Sequence, residues 1–149
     1  MQLDPVMTYR CVTRGPIEVA GDNRERQIWE VAEATLEGDG IRAGLAGPGS
    51  DWMTVSSDGF WRPDVRVAFL TEDRAALTLR YRGLVEQTDA FMAAATEDRE
   101  TGWDDQYMRM QLHFETGDSR YRWLMQSLFV ARGRLLGTGR VEYEVYRVT

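Results

Sequence analysis

Hydrophobic and polar residues alternate with a period of two along most of this sequence, which is the pattern of half-buried β-strands. Such alternation runs through nine segments: residues 5–13, 27–36, 41–46, 51–57, 64–70, 75–83, 106–115, 120–131 and 140–148. Short polar turns separate the segments, and Asp58-Gly59 has the residue types that a type I′ hairpin turn requires. The pattern therefore predicts about nine or ten antiparallel strands in a barrel or a sandwich.

One segment, residues 86–98, breaks the strand pattern. It contains the run Ala93-Ala94-Ala95 between acidic residues, a composition that favours one short helix or an ordered loop. A long loop on a barrel usually lies over one end, so this segment is a candidate lid. The sequence shows neither an internal repeat nor a change of composition, and we predict a single all-β domain over residues 1–149.

Charge and composition exclude several classes of function. The chain has 18 basic and 24 acidic residues, a net charge of −6, so its average surface repels a nucleic-acid backbone. Every basic residue is arginine, and without lysine there can be no Schiff base, no pyridoxal phosphate attachment and no P-loop. Cys11 and His113 are the only residues of their types, which argues against a metal site. We expect no cofactor and no metal.

The sequence also bears on where the protein works. No apolar run approaches the roughly 20 residues that a membrane helix needs, so we expect no membrane partner. The N-terminal residues lack the basic start and the apolar stretch of a signal peptide. These features favour a cytoplasmic protein.

Two predicted strands carry polar side chains along one whole face. In residues 64–70, Asp64 and Arg66 lie opposite an apolar face, and in residues 106–115 Tyr107 and Arg109 do the same. One interpretation is that these polar faces are exposed to solvent. The other is that they line the inside of a barrel, where charged groups must pair and could bind a ligand. Asp64 could then act as a base beside an arginine that binds a carboxylate or enolate, or the two could form a structural ion pair.

Asp51 is a further candidate because it follows a glycine-rich turn and precedes Trp52. A carboxylate at a barrel end beside an indole is a candidate general acid or base, since an apolar neighbour disfavours the ionised form and raises the pKa. The alternative is structural: Asp51 closes the turn while Trp52 fills the end of the barrel.

Seven short motifs follow one another between residues 6 and 148. They are Gly49-Ser50-Asp51-Trp52 with Ser57-Asp58-Gly59, Asp64-Val65-Arg66, Tyr81-Arg82-Gly83, Tyr107-Met108-Arg109, Phe114-Glu115-Thr116, Tyr121-Arg122-Trp123-Leu124 and Val141-Glu142-Tyr143 with Tyr146. Together they resemble the family of domain of unknown function 3237 (DUF3237), also called uncharacterised protein family 0311. The sequence departs from the family pattern at residues 47–50 and at Arg74, Met110 and Gln126.

The resemblance implies a closed antiparallel β-barrel of calycin type, similar to a lipocalin, with a cavity lined by polar groups. We then expect Asp51, Asp64, Arg66, Tyr107 and Arg109 to converge on one cavity. The predicted catalytic residues are Asp51, Asp64, Tyr107 and Arg109. The predicted substrate-binding residues, several of which could equally be packing residues, are Trp52, Arg66, Tyr81, His113, Glu115, Tyr121 and Trp123.

Three functions are compatible with such a barrel. The first is a cofactor-independent isomerase, cyclase, hydratase or lyase that acts by acid–base chemistry on a small apolar substrate with a carbonyl or hydroxyl group. The second is a carrier or sensor of a small hydrophobic ligand, and the third is a structural protein whose buried charges fix the strand register. In each of the first two the partner is a small molecule, and a homo-oligomer is possible.

Overall fold

Ten antiparallel strands make up most of the structure, a computed structural model that describes residues 1–19 and 25–149. The strands are β1 (Leu3–Val19), β2 (Glu25–Gly38), β3 (Ile41–Leu45), β4 (Gly49–Val55), β5 (Phe60–Arg62), β6 (Asp64–Thr71), β7 (Ala76–Glu86), β8 (Met108–Thr116), β9 (Leu128–Gly137) and β10 (Arg140–Val148). Helix α1 (Asp89–Glu97) lies between β7 and β8, and a 3₁₀ helix (Ser119–Met125) lies between β8 and β9.

The strands close into a barrel because the two ends of the sheet are joined to its other strands. Neighbouring strands follow the order β1-β10-β9-β8-β7-β5-β4-β2-β3-β6, and additional pairings link β1 to β2, β6 to β7 and β4 to β6. Every pairing is antiparallel. The predicted all-β fold, a closed antiparallel barrel with one short helix, is confirmed.

The inside of the barrel is filled by the apolar face of each strand. In β6, Val65, Val67 and Phe69 are buried, whereas Arg66 and Leu70 on the other face are exposed. Large side chains from strands around the whole barrel meet in one core, and Tyr9 and Leu36 are completely buried. Because each such side chain contributes about 1.5–3 kcal/mol when it is fully buried, this face sets the register of the strands.

Helix α1 is tied to the barrel at both of its ends. The Thr88 hydroxyl accepts a hydrogen bond from the Phe91 N–H at 3.1 Å and caps the N-terminus. Near the C-terminus, the Thr138 hydroxyl on the β9–β10 turn donates to the Ala95 carbonyl at 2.7 Å. Phe91 packs edge-on against Trp61, with ring centroids 5.6 Å apart. The helix therefore forms part of the wall at one end of the barrel.

The predicted strand over residues 120–131 is wrong in its first half, where the chain forms the 3₁₀ helix. The Asp118 carboxylate accepts from the Arg120 N–H at 3.0 Å and caps the helix. Tyr121 and Leu124, three residues apart, are both buried, which is the spacing of one 3₁₀ turn. Within residues 1–19 and 25–149, no helix is long and apolar enough to cross a membrane.

Candidate functional site

A cavity of about 160 Å³ lies inside the barrel beneath α1. Its wall is mostly apolar and aromatic, and includes Trp29, Met53, Trp61, Val85, Phe91 and Met108. Besides the two indoles, the lining residues with polar side chains are Thr13, Thr138, Tyr143 and Asp51. Among the described residues that line the cavity, Asp51 is the only acid and none is basic.

Asp51 reaches the cavity because it lies on the inward face of β4. This face carries Gly49, Asp51 and Met53, whereas Trp52 on the opposite face is 50% exposed. The backbone N–H of Asp64 donates a hydrogen bond to Asp51 Oδ1 at 3.0 Å and holds the carboxyl group in place. Burial raises the pKa of Asp51 to about 6, although this hydrogen bond lowers it. A carboxyl group with this pKa can both accept and return a proton near neutral pH.

Tyr143 presents a phenol to the same cavity and lies in a group of buried tyrosines. Its ring stacks on Tyr9, with centroids 5.6 Å apart, and meets Tyr81 edge-on at 5.6 Å. The hydroxyls of Tyr9 and Tyr81 are 3.4 Å apart. Burial holds the pKa of each of these three tyrosines well above its ordinary value. The three phenols are therefore neutral and keep their hydroxyl protons.

The remaining polar groups of the cavity differ in whether they are already engaged. The Thr13 hydroxyl donates to the Gly139 carbonyl at 3.1 Å, and the Thr138 hydroxyl is bound to Ala95. The Trp61 indole N–H is buried and has no hydrogen-bond partner within the described parts of the chain. The indole nitrogen has almost no accessible surface, so Trp61 contributes its ring to the cavity rather than a hydrogen-bond donor.

Asp64, by contrast, lies outside the barrel together with Arg66. The Asp64 carboxylate is 2.7 Å from Arg82 and 3.8 Å from Arg80, and both arginine side chains are partly exposed. The hydrogen bond from Arg82 lowers the pKa of Asp64, and the charges of Arg82, Arg80 and Arg66 add to this effect. Asp64 is thus an outward-facing, partly exposed carboxylate in an arginine-rich environment.

Tyr107 and Arg109 also lie on the outer surface. Tyr107 is 48% exposed, and the Arg109 guanidinium lies 5.0 Å from the centre of its ring. The prediction that these two residues, Asp64, Arg66 and Asp51 converge on one cavity is wrong. The physical reason is the strand alternation itself, because Met108 and Met110 take the inward positions of β8 and leave Arg109 outside.

Comparison with known proteins identifies the family. The family model described as "Protein of unknown function (DUF3237)" matches residues 1–148. The chain belongs to the DUF3237 family. A UPF0311 protein of Clostridium acetobutylicum is 24% identical over 132 residues, which cover 87% of this chain and 84% of that protein.

Solved structures share the fold of this DUF3237 chain. The crystal structure of a conserved protein of unknown function from Rhodopseudomonas palustris superimposes with a TM-score of 0.87 at 23% identity, covering 99% of this chain and 97% of that one. An enzyme from Penicillium herquei superimposes with a TM-score of 0.71 at 12% identity, covering 99% of this chain and 94% of that one. At these identities the likeness concerns the fold.

The other predicted binding residues of the DUF3237 chain are spread over the molecule. His113 and Glu115 are exposed on the outer face of β8, and Trp52 is exposed on β4. Tyr121 and Trp123 lie on the 3₁₀ helix. The Tyr121 hydroxyl donates to Asp73 at 2.7 Å, and Trp123 packs 6.0 Å from Phe129. The structure does not bring these five residues to the cavity.

Tyr81 and Tyr143 both lie inside the barrel, and Tyr143 is not among the predicted site residues. It follows Val141 and precedes Val145 in the same phase of β10, so a phenol lies on an otherwise apolar face. This position between two valines of the inward face was the feature of the sequence that could have identified Tyr143. Trp29 and Trp61 carried no comparable signal, because aromatic residues on apolar faces are ordinary core residues.

Proposed function

We propose that this protein is a cofactor-independent acid–base enzyme that acts in the internal cavity, with Asp51 as the group that moves the proton. The class of reaction is that of isomerases, cyclases, hydratases and lyases. The observation that carries the proposal is the Asp51 carboxyl group in an apolar cavity, where burial raises its pKa to about 6. Strongly shifted pKa values in a concave apolar site are typical of catalytic groups.

The position of Asp51 suits proton transfer to and from a bound molecule. The Asp64 N–H occupies Oδ1, so Oδ2 is the oxygen that can take the proton. At neutral pH most Asp51 groups are ionised and can remove a proton from a carbon next to a carbonyl group or from a hydroxyl group. The resulting carboxylic acid then returns the proton to another atom of the same molecule, so that no cofactor is consumed.

The size of the cavity limits the substrate. Its volume of about 160 Å³ is similar to that of an apolar cavity of about 150 Å³ that binds benzene. Trp29, Trp61 and Phe91 in the wall favour an apolar ring. We therefore propose a substrate about the size of one ring that carries a carbonyl or a hydroxyl group.

The structural comparison supports catalysis on this fold in a general way. The Penicillium herquei protein that shares the barrel is described as an enzyme, and the superposition covers 99% of this chain. A barrel of this architecture can therefore hold a reaction site.

A proton-exchange experiment tests the proposal without knowledge of the natural substrate. The protein is incubated in D₂O with a panel of cyclopentanone, cyclohexanone and cyclohexenone, and exchange of the α-hydrogens is followed by NMR. We expect exchange above the buffer rate, and Asp51→Asn should slow it by about 10²- to 10⁴-fold, the usual contribution of a general base.

Asp64→Asn is the matched control, since it changes the neighbouring aspartate on the outer face. Its exchange rate should stay within about threefold of the parent, because a surface ion pair contributes little. Equal exchange by the parent and by Asp51→Asn would contradict the proposal.

A carrier of a small hydrophobic ligand is the second candidate function. It is favoured by the cavity wall, in which apolar side chains far outnumber polar ones. The same panel separates the two functions. Saturable binding of a ketone without any α-hydrogen exchange would support the carrier and contradict the enzyme.

A further inference from the structure

Three buried tyrosines, Tyr9, Tyr81 and Tyr143, pack against one another inside the barrel. Tyr9 on β1 lies directly across from Tyr143 on β10, and their rings are stacked within 11° of parallel. Tyr81 on β7 meets both rings edge-on, at 5.5 Å and 5.6 Å. We call Tyr9, Tyr81 and Tyr143 the phenol cluster.

The hydroxyl groups of the phenol cluster are not needed to fill space. Elsewhere the core uses phenylalanine for the same purpose, at Phe69 and Phe114. A buried hydroxyl costs free energy unless it is hydrogen-bonded, so three buried hydroxyls in one place need hydrogen-bond partners. The 3.4 Å contact between the hydroxyls of Tyr9 and Tyr81 supplies one such bond.

Only one member of the phenol cluster lines the cavity. Tyr143 shares the wall with Asp51, whereas Tyr81 and Tyr9 lie behind it in the core. A phenol in the wall can donate its proton in a hydrogen bond to a ligand, and the phenols behind it fix its ring. The cavity lining thus contains both an acid–base group, on β4, and a neutral hydrogen-bond donor, on β10.

We propose that Tyr143, positioned by Tyr81 and Tyr9, stabilises a negatively charged oxygen that forms on the substrate when Asp51 removes a proton. This inference rests on the proposed function and names its substrate class: uncharged molecules whose deprotonation gives an enolate or a phenolate. Tyr143 is the catalytic residue of this step, and Tyr81 and Tyr9 are positioning residues.

The step is balanced in protons and electrons. The C–H or O–H bond of the substrate breaks, the proton forms a new O–H bond on Asp51, and the electron pair moves to the substrate oxygen. Tyr143 keeps its own proton and donates it in a hydrogen bond to that oxygen. Return of the proton from Asp51 to the substrate completes the cycle.

The charge of the cavity explains why the donor must be a neutral group. No described residue of the lining is basic, so a developing negative charge can be met only by neutral donors such as the phenol of Tyr143. A substrate that is already a carboxylate or a phosphate would face the Asp51 carboxylate without a compensating cation. An oxyanion that forms after Asp51 has become neutral meets no such repulsion.

The Asp51→Asn variant imitates the protonated state of Asp51, and 4-nitrophenol is a suitable probe because its neutral and ionised forms absorb at different wavelengths. The probe is titrated with this variant at a pH at which the free probe is neutral. We expect the bound probe to show the nitrophenolate spectrum. Adding Tyr143→Phe should weaken binding of the ionised form by about 10-fold or more, since a hydrogen bond to a charged group is lost.

Tyr81→Phe in the same background should reduce the ionised fraction less than Tyr143→Phe does, because it acts through Tyr143. If the Tyr143→Phe protein is unfolded, as judged by a thermal melt, Tyr81→Phe and Tyr9→Phe carry the test. Tyr121→Phe is the matched control, as its hydroxyl binds Asp73 away from the cavity, and it should leave the spectrum unchanged.

The possible results separate this inference from the proposed function. A probe that binds to Asp51→Asn only as the neutral phenol, or an ionised fraction that none of the three Phe substitutions changes, would overturn the role of the phenol cluster and leave Asp51 as the base. Failure of the probe to bind at all would overturn both, because the cavity would then not be a ligand site.

Discussion

Two aspartates that are joined by a hydrogen bond have opposite environments in this barrel. Asp51 on β4 points into an apolar cavity, and burial raises its pKa to about 6. Asp64 on β6 points outward, and the neighbouring arginines, Arg82 above all, lower its pKa. The Asp64 N–H donates to the Asp51 carboxyl group, so the two residues are adjacent in space and differ in the side of the sheet they face.

The comparison shows that the chemistry of a carboxyl group in a barrel depends on its phase along the strand. Asp51 is in phase with Met53, and both face inward. Asp64 is in phase with Arg66, whereas the buried positions of β6 belong to Val65 and Val67. Val65 is the residue that pairs with Asp51 across β4 and β6, and it faces inward. Asp64 lies one residue before Val65 and therefore faces outward.

The largest expected effect on stability is that of Asp51→Asn. The pKa of Asp51 is near the ordinary aspartate value of 3.8 in the unfolded chain, whereas burial raises it to about 6 in the folded protein. Between these values the folded state holds a proton that the unfolded state does not, so stability falls as the pH rises through this range. Asparagine removes this dependence and can still accept the hydrogen bond from Asp64.

From acidic to neutral pH, the free energy of unfolding of the parent should therefore fall by up to about 3 kcal/mol relative to that of Asp51→Asn. Urea denaturation of both proteins at about pH 4 and about pH 8 measures this difference. If the two proteins differ in free energy of unfolding by the same amount at both pH values, Asp51 is not held in an apolar site.

Asp64→Asn should have a smaller effect and the opposite dependence on pH. The pKa of Asp64 is lowered in the folded state, so its contribution to stability is present at neutral pH and is lost as the pH falls through the folded pKa. Because the pair with Arg82 is partly exposed, we expect a loss below about 1 kcal/mol at neutral pH. The same urea experiment measures it, and a loss as large as that from a buried ion pair would contradict the outward placement.

The smallest expected effect concerns Cys11, which lies on the inner face beside Tyr9 and Tyr81. Burial raises the pKa of the Cys11 thiol to about 12. We expect no reaction with a thiol reagent at about pH 8 in the native state and one equivalent in denaturant. Rapid labelling of the folded protein would show that this side of the barrel opens to solvent.

Much of the fold could be predicted from the sequence because alternation with a period of two directly reflects which face is buried. The segment of residues 86–98 also formed the expected helix, since Thr88 caps it and alanines fill it. The strand predicted over residues 120–131 was wrong at its start. There Tyr121 and Trp123 alternate as in a strand, but the cap at Asp118 and the burial of Leu124 favour a 3₁₀ turn.

The site was harder to predict because a motif does not reveal which side of the sheet its residues occupy. Asp64, Arg66, Tyr107 and Arg109 formed a chemically plausible set, yet their own apolar neighbours take the inward positions. Asp51 was found because it follows a glycine-rich turn and precedes Trp52, although Trp52 itself faces outward. The meeting of Asp51 with Tyr143, which are far apart in the chain, depends on barrel closure and could not be read from either segment.

The most direct test of the account is a titration of the two aspartates in one sample by carbon-detected NMR, with Asp51→Asn and Asp64→Asn used to assign the signals. We predict that the Asp51 carboxyl titrates at about 6. The Asp64 carboxyl should titrate below the ordinary value of an aspartate. If Asp51 instead titrates at or below the ordinary value, it is not an acid–base group of an apolar cavity, and the proposed function fails.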